Sequence, residues 1–123
     1  AWLLNTRTRG MVMGLFLITF DLKDATESTY EQIYEWAHRV GGYRYFRFDD
    51  GMWGRLPSTT IIVPLDASTN VAAREKFQKL LEGANYTPTH IAVADGNTRA
   101  VLSTKLHDWQ VPDYAKQRVS AGV

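Results

Sequence analysis

The run Leu15-Phe16-Leu17-Ile18-Thr19-Phe20-Asp21-Leu22 decides how this chain folds. Apolar side chains occupy both parities, with Phe16, Ile18 and Phe20 on one and Leu15 and Leu17 on the other. A strand apolar on both faces lies in the middle of a sheet with a layer over each side. Asp21 falls on the second parity at the C-terminal end of the run. There a carboxylate can serve chemistry or simply cap the following turn. A second stretch has the same character: Thr59-Thr60-Ile61-Ile62-Val63 is β-branched without a break. It is the other candidate for a central strand, and Pro64 is expected to end its pairing.

Between these two runs the periodicity changes. Ser28 and Glu31 stand at capping-box spacing, and Tyr30, Ile33, Tyr34, Ala37 and Val40 follow helical spacing as far as Gly41-Gly42. Residues 43–48, Tyr43-Arg44-Tyr45-Phe46-Arg47-Phe48, read as an edge strand closed by Asp49-Asp50-Gly51. Residues 52–57 read as a loop or irregular edge. Beyond the second central strand, residues 71–82 form a helix with Ala73, Phe77, Leu80 and Leu81 inward and Gly83 at its end. Residues 89–94 are a short strand, residues 99–106 fit a strand or a helix, and the tail with Trp109, Pro112 and Tyr114 lies along the body.

The order is β-α-β-β-α-β with a C-terminal extension. It predicts an α+β, ferredoxin-like sandwich: a four-stranded antiparallel sheet with two helices on one face. That topology puts the first and third strands in the middle, in agreement with their side chains. The second apolar face, with Leu15, Leu17 and Ile61 or Ile62, then lacks a layer. A twofold homodimer packed through the open sheet face supplies it.

Composition removes several classes of function. The chain has 123 residues, 45% hydrophobic and 22% charged, which suits a single globular domain over residues 13–123. Residues 1–12 read as a leader or upstream-frame extension rather than a native arm; Arg7 and Arg9 there could touch nucleic acid, but short basic termini are usually just solvated. Cysteine is absent, so disulfides and thiolate metal sites are excluded, and the three histidines form no ligand pair at helical spacing. A net charge of +1 gives no global basic field, so any nucleic-acid surface is local. No apolar run has the roughly 20 residues of a membrane span. Neither a signal-peptide core nor a membrane partner is expected, and the location expected is cytoplasmic.

The residues also resemble a family. Leu17-Ile18-Thr19-Phe20-Asp21-Leu22 is similar to the opening strand of Cas2-like proteins. Leu56-Pro57-Ser58-Thr59-Thr60-Ile61-Ile62-Val63, followed by Leu65-Asp66-Ala67-Ser68, resembles the middle of the SinR-type branch of that superfamily. Trp109-Gln110-Val111-Pro112 resembles the branch's C-terminal motif. Residues 51–55 lengthen the link between the second and third strands relative to the family pattern, and its aromatic pair is matched loosely by Tyr43 and Tyr45. The resemblance implies a ferredoxin-like homodimer of nucleic-acid-associated or regulatory role. It also implies, as the alternative, an endoribonuclease or deoxyribonuclease in which Asp21 from both subunits holds Mg²⁺ or Mn²⁺.

Read as chemistry, Asp21 is the candidate catalytic and metal-ligating residue, since Mg²⁺ takes oxygen ligands and uses one or two carboxylates with substrate phosphate. Asp24 is a second ligand or a helix-entry residue. Arg44, Arg47 and Arg55 alternate with Tyr43 and Tyr45, a pattern that suits phosphate pairing and base stacking on single-stranded RNA or DNA. The same pattern also fits a charged edge, because Asp49 and Asp50 offset half of it. His38 is a candidate general acid or a helix histidine, and His107 with Asp108 fits a loop pair. Ser58 and Ser68 have no base partner that would support acyl transfer. No glycine-rich phosphate loop is present.

Overall fold

The computed structural model of the chain describes residues 13–97 and 100–120, so the expected leader lies outside the described residues. In chain order the elements are β1 (Gly14–Leu22), α1 (Glu27–Arg39), β2 (Tyr45–Arg47), β3 (Trp53–Arg55), β4 (Thr60–Leu65), α2 (Asn70–Gly83), β5 (Pro88–Asp95), a 3-10 turn (Asp108–Gln110) and α3 (Asp113–Ser120). The class is mixed α+β. One antiparallel sheet has the order β4-β1-β5, and β2 with β3 forms a separate two-stranded sheet.

β1 is the central strand its sequence predicts, hydrogen-bonded along both edges. Leu17 is opposite Ile62 on one side and Ala94 on the other. Alternation sends Phe16, Ile18, Phe20 and Leu22 into a core with Ile33, Tyr34, Trp36 and Ala37 of α1 and Ala73, Phe77 and Leu81 of α2. The Phe20 ring meets Phe77 edge-on at 5.2 Å and lies 5.7 Å from Tyr30. Trp36, not singled out by its sequence, stacks on Phe77 and is fully buried.

The other face is uneven. Ile61 lies in the helix-side core and Ile62 is buried on the opposite side, so neither leaves the gap expected of it. Leu15 and Leu17 are half-buried, whereas Ala92 and Ala94 of β5, which share their face, are exposed. The face is therefore filled at β4 and open across β1 and β5.

The expected four-stranded ladder is not formed. Residues 43–48 give only three ladder residues, and these pair with β3, the segment expected as a loop. The link to the larger sheet is one bridge: Tyr43 N donates to Ile62 O at 2.7 Å and Ile62 N to Tyr43 O at 2.9 Å. Gly42 makes this approach feasible, since a Cβ there would stand 2.1 Å from the Ile62 carbonyl oxygen. After the bridge the chain turns away, because Arg44 O already accepts from Leu56 N at 2.9 Å. The Asp49-Asp50-Gly51 turn forms as expected, with Gly51 at φ +86°.

Pro64 does not end the ladder, for it pairs with Leu15 and Leu65 pairs with Gly14. Ile62 N points to Tyr43, away from β1, and residue 64 shares that direction. The missing N–H of Pro64 therefore lies on the outer edge, where no ladder needs it. The cap of α1 is also displaced from the expected pair. Thr26 is the N-cap, accepting from Thr29 N at 3.3 Å, and Thr29 Oγ1 accepts from Thr26 N at 3.4 Å. Ser28 lies inside the helix, and Glu31 accepts instead from the Tyr114 hydroxyl at 2.8 Å.

Residues 100–106 form no helix or strand, and Leu106 makes an isolated bridge to Trp53. The tail is more regular than its sequence suggested, with α3 packed on α1. A second apolar cluster of Tyr45, Trp53, Val111 and Ala115 joins tail to hairpin. Among the described residues no helix is long and apolar enough to cross a membrane.

Because Phe20 is 1% exposed between both helices, Phe20→Ala should cost about 3–5 kcal/mol. Urea unfolding measures this, and a loss under ~1 kcal/mol would contradict the packing described.

Candidate nucleic-acid interface

Asp21 stands on the face of β1 turned away from the helices. The β1–β5 register places it opposite His90, and its carboxylate lies 3.7 Å from His90 Nδ1. Both side chains are exposed, so water screens the pair and it contributes little to stability. Thr89 Oγ1 donates to the Asp21 carbonyl at 3.2 Å and fixes the strand end. An open cleft of about 420 Å³ runs over Thr19, Asp21, His90 and Ala92. Asp24, the other candidate ligand, has left-handed φ of +55° and lines a different cleft with Lys23 and Thr29. The structure pairs Asp21 with a histidine that the sequence reading did not select. The available signal was the antiparallel register of the first and last strands.

The arginine and aromatic segment separates into buried and exposed members. Arg47 and Arg55 are exposed and Tyr43 is half-buried, while Arg44 and Tyr45 are buried. Arg47 lies over the Trp53 ring at 4.5 Å, donates to Gly51 O at 2.9 Å and stands 3.6 Å from the Asp108 carboxylate. The Arg55 guanidinium makes no ion pair among the described residues.

Arg44 works inside the protein. Its guanidinium sits 4.1 Å from the centroid of the Tyr34 ring, a cation–π contact of about 2 kcal/mol when desolvated. Nη1 donates to Pro57 O at 3.0 Å and Leu56 O at 3.3 Å. Burial raises the Tyr34 hydroxyl's pKa above its ordinary value, and the Arg44 charge partly opposes this.

His38 is likewise structural. Its Nε2 accepts from Arg44 N at 2.9 Å and Tyr45 N at 3.3 Å, and the ring is 3% exposed. Two backbone donors aimed at one ring nitrogen require it unprotonated, which suits an anchor for β2 and not a general acid. His107 stacks on Trp109 and its backbone N donates to Gln110 Oε1 at 2.8 Å, while Asp108 serves another partner. Asp108 accepts from Trp53 Nε1 at 3.1 Å and lies 3.4 Å from Lys116 Nζ. The Trp53 hydrogen bond, with the charges of Lys116 and Arg47, holds the Asp108 carboxyl below the usual carboxylate range. Lys105 pairs with Asp50 beside the hairpin turn, and that hydrogen bond lowers the Asp50 pKa. Ser68 is exposed on the approach to α2.

Among the described residues no three histidine, aspartate or glutamate side chains group to hold a metal ion. Comparison of the chain with family models, with curated proteins and with solved structures returns no match.

A carboxyl whose pKa is depressed in the folded chain stabilises the fold above its unfolded value, about 3.9, and ceases to do so as pH falls through its folded value. Asp108→Ala should therefore unfold at lower urea than the parent protein at neutral pH. The gap should narrow as pH falls below about 4. A gap that keeps its size as pH falls well below that value would show that ionised Asp108 does not hold the tail to the hairpin.

Proposed function

We propose that this chain acts as a Cas2-like homodimer of nucleic-acid-associated or regulatory role, joined through the open part of its sheet. The observation that carries the reading is the Asp21 face of β1. Leu15 and Leu17 lie half-buried on it, and it continues onto β5 through Ala92 and Ala94, small side chains that leave a second sheet room to approach. The order β5-β1-β4, with Tyr43 bridged at a fourth position and α1 and α2 on one face, supports a ferredoxin-like sandwich with a shortened fourth strand. Arg47 and Arg55 with Tyr43 supply the solvent-facing part of the nucleic-acid surface. Arg44 and Tyr45 support it from within.

One observation favours a second reading, that of a nuclease. Asp21 and His90 lie together on the face a second protomer would cover. Among the described residues one protomer offers a single carboxylate there, so a divalent ion would take Asp21 from each of two protomers. Bound there, Mg²⁺ or Mn²⁺ would neutralise phosphoryl charge and lower the pKa of its water. Asp21 would hold the ion, and His90 would orient the carboxylate.

Sedimentation at micromolar protein should give about twice 14.0 kDa, and Leu17→Glu should give the monomer. A parent protein that stays monomeric would overturn the dimer. Binding of labelled single-stranded RNA or DNA should weaken in Arg47→Glu and Arg55→Glu. Cleavage that needs Mg²⁺ or Mn²⁺ and disappears in Asp21→Asn would select the nuclease. Binding without cleavage in both proteins would select the non-catalytic role.

A further inference from the structure

The loop Leu56-Pro57-Ser58-Thr59-Thr60 is held more firmly than an exposed connection requires. It forms a β-turn in which Thr60 N donates to Pro57 O at 3.1 Å, with Thr59 in the left-handed region at φ +58°. A β-branched residue adopts that conformation only when its surroundings enforce it. Contacts from α1, from β1 and from Arg44 before β2 hold the turn. Thr59 N donates to the Tyr34 hydroxyl of α1 at 3.0 Å, and Thr59 O accepts from Phe20 N of β1 at 3.0 Å. Arg44 donates from beneath to the carbonyls of Leu56 and Pro57.

Arg44 is the unusual member of this set. It is 6% exposed, makes no ion pair among the described residues, and its Nε has no hydrogen-bond partner. Among the described residues a permanently charged guanidinium is thus balanced by two carbonyls and the rings of Tyr34 and, at 5.8 Å, Tyr45 and by no carboxylate. Its field reaches the surface through the Pro57–Ser58 peptide. That peptide is trans, so with the carbonyl turned inward to the cation the Ser58 N–H points the opposite way. A carbonyl hydrogen-bonded to a cation polarises its own N–H and makes it a stronger donor. Ser58 is exposed, and neither its N–H nor its Oγ makes a hydrogen bond to the described residues. Two adjacent donors backed by a buried positive charge are suited to an oxyanion.

We propose that the Ser58 amide and hydroxyl form a phosphate-oxygen contact, charged from below by Arg44 and set beside the Asp21 end of β1. Placement follows from the register, since Thr60 is opposite Thr19 and Thr59 bonds to Phe20. Assigning that phosphate to a nucleic-acid backbone rests on the function proposed above; the oxyanion contact itself does not.

The test uses the ¹⁵N-labelled full chain, titrated first with inorganic phosphate and then with a short single-stranded oligonucleotide. The Ser58 amide should shift saturably with both. Ser58→Asp, which places a like charge on the contact, should weaken phosphate binding roughly tenfold or more. Ser58→Ala, which removes only the hydroxyl, should weaken it less. No shift of the Ser58 amide with phosphate would overturn the proposal. Oligonucleotide binding that leaves Ser58 unmoved would overturn the assignment of that phosphate to a nucleic-acid backbone, with the nucleic-acid function intact. A phosphate shift without oligonucleotide binding would support the oxyanion contact and overturn the nucleic-acid function.

Discussion

The two hydrogen-bond ladders that hold β1 between β4 and β5 are the constraint from which most of the structure follows. With both edges of the strand satisfied, only the alternation of its side chains remains to be placed. Phe16, Ile18, Phe20 and Leu22 take the helices, and Leu15, Leu17, Thr19 and Asp21 take the other side. A one-residue slip would exchange these sets and bury the carboxylate under α1 and α2. The position of Asp21 on the open face is thus secured by the same aromatic packing that forms the core.

The hairpin of β2 and β3 is attached by other means. Its link to the main sheet is a single bridge at Tyr43, so buried polar posts replace a ladder. His38 receives two backbone N–H groups at the start of β2, and Arg44 ties the far side of the hairpin to the loop before β4. The tail adds the Trp53–Asp108 hydrogen bond and the small cluster around Val111 and Ala115. These directed hydrogen bonds orient the hairpin more sharply than apolar packing at the same positions could.

Much of this was legible in the sequence where periodicity speaks. β1, β4, both long helices and β5 follow from alternation, helical spacing and Gly or Asp stops. The side of β1 that faces the helices follows from Phe16 and Phe20 sharing a parity. The edges were less legible because tertiary partners set them. Residues 43–48 look like one strand, yet only the hairpin partner at Trp53–Arg55 determines how many of them pair. Pro64 looks like a terminator until the direction of its nitrogen is known. Arg44 and Arg47 are indistinguishable by spacing, and one is buried while the other is exposed. Asp21 was legible as a strand-end carboxylate. Its neighbour His90 required the register, and Ser58 stood out only once the cation beneath it had been placed.

The proline in β4 has one more effect, on how the sheet resists uncontrolled growth. An outer strand with a full row of N–H and C=O groups is a template on which further chains can stack into fibrils. On β4 that row is interrupted twice, by the Tyr43 bridge at Ile62 and by the absent donor two residues on. An incoming strand would find no continuous ladder there. β5 carries its own guards in the exposed polar side chains of Thr89, His90 and Asp95, with a charge at its terminus. The sheet, with its apolar central strand β1, is therefore shielded at both margins from recruiting its own kind.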